Sequence, residues 1–483
     1  MRAAGFLLAA TVCAAAQPIA ISTGRITGKD LGDVEAWLGI PYAAPPVGKL
    51  RWAPPEAAKS WEGVRAMDQY GDICMQPKSR NMPEPTPMSE DCLTLNVWAA
   101  KDARKAPVMV WIHGGAFIEG SGAQAFYEGT ELARKGVVVV TLNYRLGNFG
   151  FFASPGLKGE TNFGLQDQIA ALHWVRNNVA AFGGDPGNVT IFGESAGGES
   201  VDCLMISPPA RGLFERAIAE SGGADADPGT VRDLEKEGER LAREWHASDL
   251  AAMRALTAET IENTPGRGAG RAGPVVDGKF LPEPIPEGFA SGKPAPVPFL
   301  LGANSFEASL MPFLGITLEK MLAGSGPVRD KIRQFYGEDP RQAAQGIFTD
   351  AVFLAPARYL AAQMEKANQP AFLYFFSYAA ERLRDRYPGV PHGGEIPFVF
   401  DHFPALLKPF VTAADQVMAD KVSSAWVQFA KTGNPNGAGL PEWPAYTATA
   451  DRLLEWGTPI AVRQHFRAER LDLLTTVLRR RAK

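Results

Sequence analysis

The sequence predicts an α/β fold in which a central, twisted and mostly parallel sheet is flanked by helices. Near-continuous apolar runs are typical of strands buried on both faces, and five such runs lie at residues 108–112, 137–142, 189–192, 298–301 and 372–376. Between residues 166 and 179, apolar side chains recur at helical spacing. The alternation of strand and helix along the chain indicates parallel strands joined by helical crossovers.

Length and composition are those of an ordinary globular protein. Of the 483 residues, 46% are hydrophobic and 21% are charged, which is enough for a large buried core. The motifs described below are spread over nearly the whole chain, so we expect residues 17–483 to form a single domain with insertions. A formal net charge of −4 provides no basic surface for nucleic acid. After the N-terminus, no stretch approaches the roughly 18 apolar residues of an integral membrane segment.

Residues 1–16 are predicted to be a cleavable signal peptide. Arg2 precedes an apolar run, and small residues provide a cleavage site after Ala16. A lipoprotein signal is the alternative because Cys13 lies in this segment, although Val12 before it is larger than usual for lipid attachment. The mature protein is therefore expected to be secreted or periplasmic.

The first part of the mature chain is rich in residues that interrupt regular structure. Prolines and glycines between residues 36 and 64 predict extended edge segments and ordered loops. Export to an oxidising compartment makes Cys74 and Cys92 the natural disulfide pair. Closing a loop of about 18 residues stabilises a fold by roughly 3 kcal/mol on the chain-entropy account. The remaining cysteine of the mature chain, Cys203, is expected to be a buried free thiol.

The stretch VTIFGESAGG at residues 189–198 is the most informative part of the sequence. Four β-favouring residues run into Ser195, which has a glycine two positions before and two positions after it, and a helical pattern follows. A strand that turns into a helix this sharply forces an unusual backbone conformation on the serine, and side chains at the glycine positions would collide. The hydroxyl is then exposed at the carboxyl edge of the sheet. The five residues GESAG taken alone are equally typical of an ordinary turn.

A serine hydroxyl becomes an effective nucleophile only when an oriented base removes its proton. Among the six histidines, His392 lies in the glycine-flanked loop GVPHGGE that follows the last predicted strand. A carboxylate should orient this base, and Glu307 lies between Ser195 and His392 in the chain, just past the strand at 298–301. From residue type alone, Glu307 is also compatible with a solvated surface charge.

A small-residue loop, WIHGGAF at residues 111–117, follows the first buried strand. It allows the backbone N–H groups of Gly115 and Ala116 to approach a tetrahedral oxyanion together with the N–H of Ala196. Each such donor contributes about 3 kcal/mol to the stabilisation of a transition state. The other interpretation of this loop is a glycine turn between two elements.

The sequence contains no convincing motif for binding a cofactor or a metal. The segment GAGRAG at residues 268–273 fits the dinucleotide fingerprint, but no strand precedes it and Pro274 follows it, so we interpret it as a flexible loop. The cysteines and histidines lack metal-ligand spacing. We therefore expect neither a cofactor nor a metal.

Three blocks of the sequence together resemble the type B carboxylesterase family, which includes cholinesterases and bacterial para-nitrobenzyl esterases. Residues 182–197 resemble the family's serine signature without a gap, and EDCLTLNVW at 90–98 resembles its second signature. Smaller matches continue at 426–433 and 443–444, so that the resemblance covers roughly residues 20–456. It implies an α/β-hydrolase fold in which insertions form a cap over the active site.

The resemblance also implies a role for each motif residue. Ser195 would be the nucleophile, His392 the general base and Glu307 the orienting carboxylate, with the three side chains in one hydrogen-bonded row. The implied oxyanion hole consists of Gly115, Ala116 and Ala196. The residues implied behind the histidine are Glu194, Ser221 and Glu395. The implied disulfide joins Cys74 and Cys92. Met82 stands where cholinesterases carry a choline-stacking tryptophan, so a choline ester is not the expected substrate.

These features predict hydrolysis of a small-molecule carboxylic ester through an acyl-enzyme on Ser195, without a cofactor. The rate should rise with pH between about 6 and 8 as His392 loses its proton. Two alternatives remain, an amidase or carbamate hydrolase with the same triad and a non-catalytic, cholinesterase-like adhesion or binding protein. No motif predicts the oligomeric state.

Overall fold

The computed structural model of the protein describes residues 17–78, 87–223, 228–264, 273–322 and 329–481. The predicted signal peptide at 1–16, the Met82 position and all but the last residue of the segment 268–273 lie outside these residues. Those three interpretations remain predictions.

An 11-stranded mixed sheet runs through the described part of the chain. Numbered in chain order, its strands are β1 (Lys29–Asp30), β2 (Val34–Pro41), β3 (Thr94–Ala100), β4 (Ala106–Ile112), β5 (Val138–Leu142), β6 (Gly184–Glu194), β7 (Arg216–Glu220), β8 (Phe299–Asn304), β9 (Ala371–Phe376), β10 (Arg452–Trp456) and β11 (Ala461–Gln464). They lie side by side in the order β11-β10-β9-β8-β7-β6-β4-β5-β3-β2-β1. Outside this sheet, short pairings join Ile19–Ile21 with Gly24–Thr27 and Val64–Ala66, and Ile73–Cys74 with Met88–Ser89.

The middle of the sheet is parallel and its margins are antiparallel. Strands β4 to β10 all run in one direction, whereas β3 pairs antiparallel with β5 and β11 pairs antiparallel with β10. Every residue of β5 is buried, as are all residues of β4 except Pro107. The prediction of strands covered on both faces is confirmed for these two apolar runs.

Alternate residues of β4 enter two separate hydrophobic layers, one on each face of the sheet. Val108 and Val110 belong to the layer that includes buried residues of helix Phe163–Asn178. Met109 and Trp111 belong to the layer that includes residues of helix Ala413–Thr432. Because successive side chains of a strand point to opposite faces, the sheet lies between helices, as the fold class requires.

The α-helices of the described residues vary from one turn to 20 residues. The longer ones are Phe163–Asn178, Ala196–Ile206, Val231–Glu244, Arg329–Tyr336, Pro340–Phe348, Ala355–Lys366, Ala413–Thr432 and Ala468–Arg481. The shorter ones are Thr130–Arg134, Gly147–Gly150, Leu250–Arg254, Ala258–Glu262, Ile285–Ala290, Met311–Leu314, Leu318–Leu322 and Ile396–Val399. A π-helical turn, Thr349–Leu354, joins two of the longer helices in the segment between β8 and β9. That segment contributes Phe353 next to His392 at the candidate site.

The region from residue 36 to 64 is more regular at its start than the sequence predicts. Residues Val34–Pro41 form an eight-residue strand, although glycine and proline lie within it. Gly39 has a φ of 73° and lies where the pairing with β3 shifts register between Trp37 and Ile40, so it forms a bulge. Pro41 occupies the last position of the strand, where a missing N–H is tolerated.

Chemistry-bearing residues collect at one edge of the sheet. The oxyanion loop follows β4, Ser195 follows β6, Ser221 follows β7 and Glu307 follows β8. His392 lies on the longer connection after β9. Because these strands are parallel, their carboxyl ends face the same side, where ligands of open α/β sheets bind.

The remaining predictions on the architecture concern the disulfide and the membrane. Cys74 and Cys92 are joined with an S–S distance of 2.04 Å, and Cys203 is buried without a disulfide, as predicted. Among the described residues, none of the helices combines the length and the apolar character needed to cross a bilayer.

Candidate active site

Ser195 lies in a strained turn between strand β6 and helix Ala196–Ile206. Its backbone has φ 59° and ψ −126°, a conformation that residues with a side chain rarely adopt. The turn also requires the flanking glycines, because a Cβ atom at Gly197 would lie 2.0 Å from the carbonyl oxygen of Ile112 and one at Gly193 would lie 2.6 Å from the same oxygen. The predicted reason for the glycine spacing is therefore present in the geometry.

Hydrogen bonds from the backbone hold this turn in place. The N–H of Ser195 donates to the carbonyl of Glu220 at 2.9 Å, which ties the turn to the end of β7. The carbonyl of Ser195 accepts from the N–H of Glu199 at 2.8 Å, which begins the helix. Ser195 is partly exposed while its two neighbours are buried. The turn thus exposes the serine, while the residues on either side of it are buried.

The loop after β4 lies directly against the serine. A Cβ atom at Gly114 would be 3.0 Å from Cβ of Ser195, so only a glycine allows this approach. Gly115 and Ala116 have φ values of 102° and 55°, which turn the chain sharply beside the hydroxyl. Within the described residues, the N–H groups of Gly115, Ala116 and Ala196 have no backbone acceptor outside regular helices and strands. The role of these three groups as an oxyanion hole remains a prediction.

The predicted acid and base are in contact. Nδ1 of His392 and Oε2 of Glu307 are 2.6 Å apart. The other oxygen of Glu307 accepts from the Ser221 hydroxyl at 2.6 Å and from the backbone N–H of Asn304 at 2.6 Å. The Glu307 side chain is fully buried. Three donors around one buried carboxylate fix both its position and the orientation of the imidazole.

The loop that carries His392 is attached to the segment that carries Glu307. The N–H of His392 donates to the Ser309 hydroxyl at 2.9 Å. The N–H of Phe306 donates to the carbonyl of Val390 at 2.8 Å. These bonds bridge more than 80 residues of sequence, so the pairing of acid and base is built into the backbone and not only into the side chains.

Only half of the predicted hydrogen-bonded row is formed. Nε2 of His392 has no hydrogen-bond partner among the described residues, so the expected bond to the Ser195 hydroxyl is missing. Instead, Nε2 lies 3.0 Å from Oε1 of Glu194, without the alignment of a hydrogen bond. The physical reason is charge attraction, because a carboxylate draws the imidazole more strongly than a neutral hydroxyl does.

Glu194 and Glu307 set the protonation of His392. Burial lowers the pKa of an imidazole, but the charges of Glu194 and Glu307 act in the opposite direction and raise the pKa of His392 to about 9. The ring of Phe353, from the π-helical turn, lies 5.2 Å from the imidazole and restricts solvent on one side. The two carboxylates therefore favour the protonated form of the imidazole.

Glu194 belongs to a group of three buried carboxylates near the histidine. The sequence pointed to Glu194 and Glu395, but the structure adds Glu220, whose Oε1 accepts from the indole N–H of Trp426 at 2.8 Å. Burial raises the pKa of Glu194 to about 7 and that of Glu220 to about 8, and it raises the pKa of Glu395 well above its usual range. Glu220 could have been found as the residue before Ser221, but β7 was not predicted as a strand.

Asn304 connects this carboxylate group to the histidine loop. Its side-chain amide donates to Oε2 of Glu395 and, at 3.2 Å, to the carbonyl of Pro391. Asn304 is fully buried at the end of β8. Sequence analysis missed it, since an asparagine at a strand end has no signal of its own.

His113, in the loop after β4, is held by contacts within the protein interior. His113 is buried, which lowers its pKa to about 4, and its Nδ1 is 2.8 Å from the carbonyl oxygen of Gly114. Its ring stacks on Tyr144 with centroids 4.4 Å apart. Among the described residues, no group of three His, Cys, Asp or Glu side chains is arranged to hold a metal ion.

A strained serine at the carboxyl edge of a parallel sheet, a histidine held by a buried carboxylate and a loop of free N–H groups define a serine hydrolase of the α/β-hydrolase class. Residues 15–474 match the profile of the family described as "Carboxylesterase family". The chain belongs to this family, and it is a carboxylic ester hydrolase.

Similar proteins have the same character. The chain is 38% identical to a para-nitrobenzyl esterase of Bacillus subtilis (strain 168) over 462 residues, covering 89% of this chain and 92% of that protein. It is 34% identical to a liver carboxylesterase of Sus scrofa, covering 88% of each. A solved structure of a PNB esterase superimposes with a TM-score of 0.85 at 33% identity, covering 95% of this chain and 99% of that chain.

Proposed function

We propose that Ser195, His392 and Glu307 hydrolyse small-molecule carboxylic esters through an acyl-enzyme intermediate. The observation that carries this proposal is the 2.6 Å contact between His392 Nδ1 and the buried Glu307, at the same sheet edge as the strained turn of Ser195. A carboxylate bound to Nδ1 fixes the tautomer in which Nε2 can accept a proton.

In the first half of the reaction, the Ser195 oxygen attacks the ester carbonyl carbon while Nε2 of His392 takes the hydroxyl proton. The carbonyl becomes an oxyanion, which the N–H groups of Gly115, Ala116 and Ala196 stabilise. When the oxyanion collapses, the bond to the alcohol oxygen breaks, and the imidazolium gives its proton to the departing alcohol.

In the second half, water attacks the acyl carbon and His392 takes a proton from that water. The second oxyanion collapses, the bond to Ser195 breaks, and the serine regains its proton as the acid departs. Glu307 remains ionised and stabilises the imidazolium in both halves. Nε2 must leave Glu194 to reach the serine, and such catalytic hydrogen bonds commonly form only in the substrate complex.

Hydrolysis of para-nitrophenyl butyrate tests the proposal. We expect Ser195→Ala to reduce kcat by at least about 10⁴-fold, since the nucleophile and its base act as a unit. Ser248→Ala, at an exposed serine, should leave kcat unchanged. An organophosphate should add one adduct mass to the wild-type protein and none to Ser195→Ala. Activity that survives in Ser195→Ala contradicts the proposal, and faster cleavage of para-nitrobutyranilide than of the ester would favour an amidase.

We also propose that the protein is exported to the periplasm or secreted, with cleavage after Ala16. The disulfide between Cys74 and Cys92 supports export, because such bonds persist mainly in oxidising compartments. The intact mass of the protein from the periplasm or medium of a producing cell should correspond to a chain that begins at Gln17. A full-length mass, or a protein confined to the cytoplasm, contradicts this proposal.

A further inference from the structure

An open cleft of about 510 Å³ is lined in part by residues of the two segments that carry the acid and the base. Its volume is within the range of small-ligand sites, roughly 300 to 1,000 Å³. Neither Ser195, Glu307 nor His392 lines it, so it is separate from the candidate active site. We call it the rear cleft.

One wall of the rear cleft is shared backbone. Ser305 and Gly389 line it, and the Ser305 hydroxyl accepts from the N–H of Val390 at 2.8 Å. A Cβ atom at Gly389 would lie 2.7 Å from that hydroxyl oxygen, so the two segments are closely packed there. Glu307 and His392 follow two and three residues after Ser305 and Gly389, so the cleft borders the segments that position the acid and the base.

Arginines give the rear cleft an excess of positive charge. Arg463 donates through Nε to Glu455 at 2.6 Å, and Arg467 donates through Nη1 to Asp350 at 2.7 Å. Asp350 also lies 2.7 Å from Arg470, so one buried carboxylate faces two guanidinium groups. Among the charged side chains that line the cleft, two arginines, Arg463 and Arg467, stand against one carboxylate, Glu455, which leaves a surplus of one positive charge in the lining.

The donors of these arginines are only partly used. A guanidinium has five N–H donors, and each of the two cleft arginines binds its carboxylate through one nitrogen. Arg463 is 46% exposed at its side chain, so its remaining N–H groups are accessible. The unused donors of the cleft are therefore suited to a planar carboxylate, which binds two parallel N–H groups.

Part of the remaining lining is apolar and rigid. The guanidinium of Arg467 lies 4.6 Å from the ring centre of Phe375 and 4.9 Å from that of Phe466, and both rings line the cleft. Arg467 also has a φ of 56°, a strained value that is maintained only where the surroundings fix the backbone. Pro388 adds a further apolar surface. A ligand would find a flat hydrophobic surface beside a fixed cation.

We propose that the rear cleft binds a monoanionic carboxylate that carries an aromatic or alkyl group. Such a molecule matches both the single surplus charge and the apolar wall. It is also the chemical class of acid that ester hydrolysis releases. An uncharged ester, in contrast, has no negative charge to pair with the arginines. The protein thus has a site for its product class apart from the site that makes it.

Calorimetric titration with benzoate tests this proposal on full-length mature protein whose Ser195 has first been blocked by an organophosphate. Benzoate should bind to the blocked protein, and benzamide, its neutral counterpart, should bind at least about tenfold more weakly. Arg463→Gln should raise the Kd of benzoate about tenfold. Arg463→Lys keeps the charge but loses the parallel N–H donors, so its Kd should lie between those of the wild type and Arg463→Gln. Arg134→Gln is the matched control, since Arg134 is 40% exposed and ion-paired elsewhere, and it should bind like the wild type.

Three results would overturn the proposal. They are absence of benzoate binding to the blocked protein, an equal Kd for benzoate and benzamide, and an unchanged Kd in Arg463→Gln. Thermal unfolding of each variant establishes that it is folded before titration. Should Arg463→Gln not fold, Arg463→Lys takes its place. An unchanged Kd of benzoate in Arg463→Lys, or an equal Kd of this variant for benzoate and benzamide, then overturns the proposal.

Discussion

Nε2 of His392 lies 3.0 Å from Oε1 of Glu194, the residue that directly precedes the proposed nucleophile. A carboxylate therefore competes with the serine hydroxyl for the same face of the imidazole. The attraction holds a proton on His392, with a pKa raised to about 9 against the opposing effect of burial. The proposed mechanism therefore requires Nε2 to exchange its contact with Glu194 for one with the Ser195 hydroxyl.

The first prediction concerns pH. Because the base acts only when deprotonated, kcat/KM for para-nitrophenyl butyrate should rise as pH increases through about 9, later than the range of about 6 to 8 expected from the sequence. Glu194→Gln removes one of the two charges that raise this pKa, so the rise should move to lower pH. Glu62→Gln, at an exposed position, should not move it. An identical profile in Glu194→Gln would refute the stated cause.

The second prediction concerns the orienting acid. Glu307→Gln keeps the shape of the side chain but places an amide N–H₂ or a neutral oxygen against Nδ1 of His392. The imidazole then loses its tautomer and its stabilising charge, and kcat should fall by about 10⁴-fold. Ser221→Ala removes one donor to the same carboxylate and should cost less, about tenfold. If Glu307→Gln retained more activity than Ser221→Ala, Glu307 would not be the acid.

The third prediction concerns the serine turn. Gly197→Ala introduces a Cβ atom 2.0 Å from the carbonyl oxygen of Ile112, and neither backbone can move freely. We expect a loss of about 3 kcal/mol in the free energy of unfolding, measured with denaturant, together with loss of activity. Gly187→Ala is the control, because its Cβ would meet nothing closer than 3.4 Å. Equal stability of the two variants would mean that the crowding is not real.

The serine turn and the pairing of Glu307 with His392 were predictable from the sequence, whereas the contacts of the other buried carboxylates were not. The turn at Ser195 was predictable because its glycines lie within two residues of it. Glu220 was not predicted because its strand is only five residues long and has a charged residue at each end. Its hydrogen-bond partner Trp426 also lies 206 positions away in the sequence. The contact between Glu194 and His392 likewise depends on how separate segments meet, which no spacing in the sequence encodes.

The fourth prediction concerns the disulfide. Replacing Cys74 and Cys92 together by serine opens a loop of 18 residues and should lower the free energy of unfolding by about 3 kcal/mol. Reductant should destabilise the wild type by the same amount and leave the double variant unaffected. Cys203→Ser tests whether the buried thiol contributes separately. A double variant as stable as the wild type would show that the cross-link has no stabilising role.

The fifth prediction concerns selectivity. The ring of Phe353 lies 5.2 Å from His392, so Phe353→Ala should widen the site next to the reacting groups. The ratio of kcat/KM for para-nitrophenyl octanoate to that for the butyrate should change by roughly tenfold in favour of the longer acyl chain. Val352→Ala changes an exposed neighbour and should leave the ratio as it is. An unchanged ratio in Phe353→Ala would place the acyl chain elsewhere.

The crowded serine turn also tells a protein engineer where to introduce variation. Positions 193, 197 and 198 have main-chain atoms so close that any larger residue collides with them, so library diversity at these codons is wasted. The segment between β8 and β9 contacts His392 through Phe353 and is not part of the serine turn. New substrate preferences should therefore be sought by randomising that segment while the turn is left unchanged.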